Sequence, residues 1–239
     1  MLTLVDRIPL PATAITQLEA VVALLQRQLG QALAGVILHG SAATSGFDPA
    51  RSDLDILAIV AQALTPDEQR VLGVGLLAIS GDPHPLELSI VTEHDLAHWS
   101  HPCAYAFHFS ESLCSAFAAG CFSPQAAHDE DLAAHFTVAK ARGIDLLGTY
   151  PRVRLPDIPR RDYLAALLGD FEWAARQPDN LHDYTLANAC RTQAYLQTGQ
   201  VLSKSEGLDW FRKQDTDMAA VVADVIEALR REIAGNGPS

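Results

Sequence analysis

Three acidic residues follow a spacing that could hold a metal ion. Asp53 and Asp55 lie two positions apart where the apolar run Leu54–Val60 begins. In an extended segment their carboxylates leave one face, while Leu54 and Ile56 turn into the core. Two hard oxygen ligands at this spacing suit Mg²⁺, which keeps several waters and completes its shell with substrate phosphates. The pattern therefore predicts a metal site that also binds a nucleotide.

The third carboxylate, Glu87, lies inside the apolar run 86–91. A carboxylate within an apolar strand is costly unless it is paired, protonated or bound to a metal. If this strand lies beside the strand of Asp53 and Asp55, Glu87 can complete the metal site or take a proton from an attacking hydroxyl. Either role makes Glu87 a candidate catalytic residue.

Gly40 and Ser41 follow another apolar, β-prone run at 35–39. Glycine lets the backbone approach a phosphate closely, and serine offers hydroxyl and amide donors at the start of a following helix. We therefore predict a triphosphate cradle here. Alone, a Gly-Ser pair is usually a turn and a D-x-D pair usually a solvated strand end. The order of the glycine-serine pair, the two aspartates and the third acid favours a catalytic site.

The elements that must position these residues change character along the chain. The first part alternates a helix at 14–29 with strands at 35–39, 54–60 and 86–91, and Thr65 to Glu68 forms a capping-box pattern that opens a second helix. Beyond Thr92 the apolar period is helical, and we predict helices at 105–117, 125–147, 163–176, 184–197, 204–212 and 218–233. Pro151, Pro156 and Pro159 prevent regular helix between them. We predict an α/β (α+β) protein with domains at 1–155 and 156–239.

Charge and composition limit the class of partner. The chain of 239 residues carries 29 acidic and 17 basic residues, a formal net charge of −12, which opposes nucleic-acid binding and favours cationic partners. No apolar run approaches the roughly 20 residues that cross a bilayer. The four cysteines form no C-x-x-C pair and no signal segment is recognisable, so we expect a cytoplasmic protein. A zinc site would need irregular spacings among His101, Cys103, Cys114, Cys121 and His128.

Taken together, these residues resemble the nucleotidyltransferase superfamily, whose signature is G-S, then D-x-D, then a third carboxylate on a later strand. Within it, the chain is similar to the aminoglycoside 3″-adenylyltransferases that modify streptomycin and spectinomycin. The signature positions are Gly40, Ser41, Asp53, Asp55 and Glu87. The resemblance continues at 107–109, 143–148, 190–191, 198–206 and 209–210, and so covers nearly the whole chain.

The resemblance implies an N-terminal domain with a mixed β-sheet flanked by helices, and a C-terminal α-helical bundle. Two Mg²⁺ ions would bind at Asp53 and Asp55, with ATP as substrate. Glu87 would contact the acceptor and deprotonate its hydroxyl, which attacks the α-phosphorus and expels pyrophosphate. Arg191 and Lys204 match positions that reach the nucleotide phosphates. The expected enzyme is a monomer that adenylylates a small cationic antibiotic and so confers resistance.

The acceptor-binding residues are less well defined by the pattern. Where the family has an aromatic residue beside an acid, this chain has Glu111-Ser112-Leu113, which disfavours streptomycin. Among the acidic residues Glu172, Asp179 and Asp183, we select Asp183 as a substrate contact because it directly precedes a predicted helix. Arg191 could instead pair with a surface acid, and Lys204 could be incidental to a capping box formed by Ser203 and Glu206.

Two other functions remain open at this point. The same machinery could modify a protein or an RNA end, although the acidic balance and the lack of a basic, aromatic-interleaved surface oppose it. The chain could also be a catalytically silent nucleotide-binding module, since a fold alone does not determine function. An inactive relative would be free to lose one of the three acids, and all three are present.

Overall fold

A computed structural model describes residues 8–122, 127–177, 181–214 and 218–235. In these ranges the strands are β1 (Leu33–His39), β2 (Leu54–Val60), β3 (Leu86–Thr92), β4 (Cys103–Tyr105), β5 (Phe107–Phe109), β6 (Ala127–Asp129) and β7 (Ile144–Gly148). The α-helices are α1 (Ala12–Leu29), α2 (Pro66–Leu77), α3 (Glu93–Ala97), α4 (Cys114–Ala118), α5 (Leu132–Arg142), α6 (Arg160–Arg176), α7 (His182–Thr198), α8 (Lys204–Phe211) and α9 (Val221–Gly235).

Five strands form one mixed sheet in the order β5-β3-β2-β1-β7. Strand β2 runs antiparallel to β1 and parallel to β3, whereas β5 and β7 add antiparallel edges. The register places Asp55 beside both His39 of β1 and Glu87 of β3. The sheet therefore brings the ends of three neighbouring segments to one point.

The two faces of this sheet are buried against different helices. Leu54 and Ile56 belong to a core that includes residues of α1 and α2. Leu57 and Ile59 point the other way and share a core with Phe136 of α5. The alternation along β2 thus confirms that Leu54 and Ile56 enter the core while Asp55 takes the opposite face.

Helices α6 to α9 pack around a separate apolar core that includes Leu164, Phe171, Phe211 and Leu229. The indole of Trp99 donates a hydrogen bond of 2.9 Å to Asp162 of α6, which ties this helical half to the sheet half. A connection containing Pro156 and Pro159 precedes α6. The domain division at residue 155 stays a prediction.

Both predicted capping boxes are present. Thr65 and Glu68 exchange side-chain and backbone hydrogen bonds at the start of α2, and Ser203 and Glu206 do the same at the start of α8. Each box satisfies backbone N–H groups that a first helical turn leaves unpaired. The cap at Ser203 also fixes the start of α8, whose first residue is Lys204.

Two of the predicted helices are wrong in part. Residues 105–117 contain strand β5 and only a short helix, because Phe107 and Phe109 are both buried on one face with His108 between them. That is the period of a strand. Residues 125–147 contain strands β6 and β7 around the shorter helix α5, while 125 and 126 lie outside the described residues. The chain turns at Gly143, and β7 then pairs with β1.

Among the described helices, none combines the length and the apolar character needed to span a membrane.

Candidate active site

The pairing of β2 with β3 gathers the three predicted acids. Asp55 and Glu87 are direct register partners, and Asp53 lies two residues before Asp55, immediately ahead of β2. One carboxylate oxygen from each of the three lies within 4.8 Å of the others. Within the described ranges this is the one group of three or more potential metal-ligating side chains found. Its donor atoms are all hard oxygens, the type that Mg²⁺ prefers.

The three carboxylates repel one another in a partly buried site. Burial and the charges of Asp53 and Glu87 raise the pKa of Asp55 to about 8. Burial, followed by the charge of Glu87, also raises the pKa of Asp53. A divalent cation would offset this repulsion and favour the ionised forms of both aspartates. The electrostatics therefore suit a metal site.

Gly40 and Ser41 form a tight turn directly beside Asp55. Gly40 has φ of 63°, and a Cβ atom added to it would lie 1.8 Å from Oδ2 of Asp55. The turn is a short 3-10 helix, Gly40–Ala43, held in place by the buried Ala42. In the part of the chain that the structure describes, the buried Ser41 Oγ has no hydrogen-bond partner. This hydroxyl therefore has hydrogen-bonding capacity that the described residues do not use.

Arg191 of α7 and Lys204 of α8 bring positive charge from the helical half. Burial, followed by the charge of Arg191, lowers the pKa of Lys204, and Asp170, Asp53 and Asp55 act in the opposite direction. Lys204 is therefore within electrostatic reach of the acidic site. Its ammonium also lies 4.0 Å from the centre of the Tyr184 ring. The Nε atom of Arg191 is buried and, among the described residues, has no hydrogen-bond partner.

His135 of α5 is a neighbour of Glu87 that the sequence analysis did not select. Its Nε2 atom lies 3.6 Å from Oε1 of Glu87, and its side chain is 22% exposed. Burial by itself lowers the pKa of His135, but Glu87, Asp55 and nearby acids outweigh burial and raise it. The sequence signal was a histidine on a helix face that also buries Leu132 and Phe136. Only the fold shows which carboxylate that histidine faces.

A second group of unselected residues lies around Tyr184. Its hydroxyl donates a hydrogen bond of 2.6 Å to Asp170 of α6, and Asn188 donates one of 2.8 Å to the same carboxylate. The charge of Asp170 acts on Lys204, as described above. Asp170 therefore belongs to the charged surroundings of the site. No sequence pattern distinguished it from other helical acids.

The remaining acidic candidates have different surroundings. Asp183 is exposed in the first turn of α7, and its role as a substrate contact stays a prediction. Glu172 pairs with Arg230 at 3.6 Å on the surface. Asp179 lies outside the described residues. In the described ranges, the histidines and cysteines considered for zinc form no group with metal-ligand spacing.

Known proteins with similar sequences and structures identify the family. The family described as "Aminoglycoside adenylyltransferase, C-terminal domain" matches residues 154–237. An aminoglycoside (3″)(9) adenylyltransferase of Klebsiella pneumoniae is 30% identical over 203 residues, which cover 82% of this chain and 77% of the relative. The chain belongs to the aminoglycoside adenylyltransferase family. It is therefore a nucleotidyltransferase, and the resemblance inferred from Gly40, Ser41 and the three acids is confirmed.

A sequence relative and a crystal structure, both enterococcal, agree with this placement in the aminoglycoside adenylyltransferase family. A spectinomycin 9-adenylyltransferase of Enterococcus faecalis is 29% identical over 195 residues, which cover 79% of this chain and 76% of the relative. The crystal structure of the enterococcal spectinomycin adenyltransferase AAD(9) with ATP and spectinomycin matches with a TM-score of 0.69 and 25% identity. The matched region covers 92% of this chain and 98% of the enterococcal chain. The expected fold class, a mixed sheet flanked by helices with a helical C-terminal part, is confirmed.

The contact between Gly40 and Asp55 predicts the effect of a single methyl group. In Gly40→Ala, Asp55 or the turn must move, and the positive φ adds strain. We expect a loss of about 1–3 kcal/mol in the free energy of unfolding together with weaker Mg²⁺-dependent ATP binding. Gly81→Ala is a matched control, because Gly81 has φ of 84° and nothing lies within 4 Å of the added Cβ. Denaturation measures the free energy of unfolding, and calorimetry measures the ATP affinity. Equal ATP affinity in the two variants would contradict the prediction.

The raised pKa of Asp55 predicts that Asp55→Asn stabilises the metal-free protein. Below pH 3.8, the ordinary pKa of this carboxyl, it is neutral in both the folded and unfolded states. As the pH rises from there to about 8, ionisation increasingly favours the unfolded state. The variant escapes this loss and should be more stable at pH 8 by several kcal/mol, since each pKa unit corresponds to about 1.4 kcal/mol. Thermal unfolding in chelator across this pH range tests it, and a variant less stable than wild type at pH 8 would contradict it.

Proposed function

We propose that this enzyme transfers AMP from ATP to a hydroxyl of an aminoglycoside-type antibiotic of the spectinomycin class and releases pyrophosphate. One observation carries the proposal. One carboxylate oxygen from each of Asp53, Asp55 and Glu87 lies within 4.8 Å of the others, and the charges of the two aspartates act on Lys204 of the helical half. Acids that hold a metal and cations that face phosphates are the parts that phosphoryl transfer requires. The modified antibiotic would be inactive, so the activity would confer resistance.

The residues present fit Mg²⁺ and a nucleotide. Asp53 and Asp55 supply the hard oxygen ligands, and the raised pKa values of both support a site that gains from added positive charge. When bound, Mg²⁺ would neutralise charge on the phosphates and orient them. Ser41 Oγ, which is buried and unpaired among the described residues, supplies a donor for a phosphate oxygen. Gly40 has no side chain, which permits its backbone to approach that phosphate closely.

Glu87 is the proposed general base. The proton of the acceptor hydroxyl passes to a carboxylate oxygen of Glu87, and the acceptor oxygen attacks the α-phosphorus. The bond from the α-phosphorus to its bridging oxygen then breaks, and pyrophosphate leaves with that oxygen. The Nε2 atom of His135 lies 3.6 Å from Oε1 of Glu87, and the raised pKa of His135 keeps its positive charge beside this carboxylate to higher pH. Arg191 and Lys204 would offset the charge that develops on the phosphates.

The acceptor is inferred from charge and from the relatives. Glu87, Asp129 and Asp131 act together on His135, and the charge of Asp170 acts on Lys204. These acids favour a cationic small molecule, and Asp183 would add a contact from the start of α7. The relatives compared above are named for spectinomycin or for aminoglycosides, which supports a small acceptor over a protein or RNA. The segment Glu111-Ser112-Leu113 lacks the expected aromatic residue beside an acid, which favours spectinomycin over streptomycin.

Pyrophosphate release by the purified protein tests the reaction and the acceptor together. With ATP and Mg²⁺, we expect release in the presence of spectinomycin and little in the presence of streptomycin. Asp53→Asn and Asp55→Asn should abolish the Mg²⁺-dependent release because each removes a metal ligand. Silence with every aminoglycoside offered, while ATP still binds, would contradict the proposed acceptor class.

The role of Glu87 as base makes a separate prediction. Glu87→Gln should bind ATP like wild type but lower kcat by roughly 10²–10⁴-fold, since proton transfer in the transition state is lost. Glu227→Gln is a suitable control, because Glu227 is a surface residue of α9 that pairs with Arg231. Calorimetry gives the ATP affinity and single-turnover kinetics gives the rate of transfer. A Glu87→Gln variant with normal kcat would remove Glu87 from this role.

A further inference from the structure

The first turn of α8 approaches the sheet half very closely. Lys204 is the first residue of this helix, and its cap residue Ser203 precedes it. A Cβ atom on Gly46, in the loop that follows the Gly40 turn, would lie 3.3 Å from Ser203 Cβ and 3.3 Å from Ser205 Oγ. The position of Lys204 therefore depends on how this turn is held against the sheet half.

Arg142, the last residue of α5, makes the polar attachment. Its two terminal nitrogens donate hydrogen bonds of 3.2 and 2.9 Å to the two carboxylate oxygens of Glu206. One of them also donates a bond of 3.1 Å to the backbone carbonyl of Val201. Both side chains are about two-thirds covered, with exposed fractions of 32% and 28%. A bidentate guanidinium–carboxylate pair fixes orientation as well as distance.

Glu206 performs two tasks with one carboxylate. Besides pairing with Arg142, its Oε2 atom accepts a hydrogen bond of 2.8 Å from the backbone N–H of Ser203. In return, Ser203 Oγ accepts a bond of 3.2 Å from the backbone N–H of Glu206. The hydrogen bond from Arg142 is the main reason that the pKa of Glu206 falls to about 2. The cap of α8 is therefore joined directly to the end of α5.

We infer that Arg142 and Glu206 are positioning residues for Lys204. The pair attaches the capped first turn of α8 to α5, and this attachment aims the Lys204 ammonium at the Asp53 and Asp55 site. Neither residue contacts the substrate; both act through Lys204. The inference rests on the proposed function, in which Lys204 meets the nucleotide phosphates. Loss of the pair therefore weakens nucleotide binding more than it weakens the fold.

A second ion pair provides a control that distinguishes positioning of Lys204 from a general contribution to the stability of the fold. Arg160 of α6 donates two hydrogen bonds, of 3.0 and 2.9 Å, to Glu232 of α9. This pair also joins distant parts of the sequence, and the side chains of Arg160 and Glu232 are 39% and 37% exposed. However, both of its helices belong to the core of the helical half. Glu232→Gln is thus a matched control for Glu206→Gln.

The first experiment compares ATP binding and catalysis in Arg142→Met, Glu206→Gln and Glu232→Gln. Glutamine can still cap the helix, so Glu206→Gln removes the ion pair with little change to the cap. We expect the first two variants to raise the Kd of MgATP and its KM about 10-fold at similar melting temperature. Glu232→Gln should leave both constants unchanged, and Arg142→Lys should recover part of the loss. Unchanged Kd in Arg142→Met and Glu206→Gln would overturn the inference.

A double-mutant cycle with Lys204→Met then tests whether the effect passes through Lys204. If Arg142 acts by aiming Lys204, Arg142→Met should not weaken ATP binding further once the ammonium is gone. A full additional loss in the double variant would show that Arg142 acts independently and would overturn the inference. Wild-type affinity in Lys204→Met would instead overturn the phosphate contact itself. Absence of turnover with every acceptor, alongside a non-additive binding cycle, would contradict only the proposed acceptor.

Discussion

The mutual repulsion of Asp53, Asp55 and Glu87 is the constraint on which the rest of the structure depends. The parallel pairing of β2 and β3 leaves no freedom to separate Asp55 from Glu87, because they are register partners. The cost is visible in the pKa of Asp55, which burial and its two neighbours raise to about 8. A fold that keeps such a group must supply compensating positive charge. His135 and Lys204 supply it from α5 and α8.

The repulsion can persist because the surrounding sheet is well determined. Leu54 and Ile56 are buried against one layer, and Leu57 and Ile59 against the other. A slip of one residue in β2 would turn all four to the wrong face and bury the aspartates among apolar side chains. Gly40 completes the arrangement, since no other residue leaves space for Asp55 at this turn. Burial of these apolar side chains therefore offsets the repulsion among the three carboxylates.

The sequence indicated those parts of the fold in which local pattern and tertiary role agree. Strands β1 to β3 are short apolar runs between breakers, so they and the acids on them were predictable. Strand β7 was not, because residues 144–148 continue an apolar period that also suits a helix, and only pairing with β1 selects the strand. The partners of single polar residues were equally hidden. His135 is 48 positions from Glu87, and Arg142 is 64 positions from Glu206, so nothing local joins them.

The distribution of charge between the two halves explains why both are needed in the proposed reaction. The sheet half contributes the three acids, whereas Arg191 and Lys204 come from α7 and α8. A nucleotide with its metal carries both signs of charge, so its cation suits the first set and its phosphates suit the second. The sheet half alone would lack these two cations, and the helical half alone would lack the three acids. Nucleotide affinity should therefore depend on the contacts that hold the two halves in place against each other. The bidentate pair of Arg142 and Glu206 is such a contact, because it joins the end of α5 to the cap of α8.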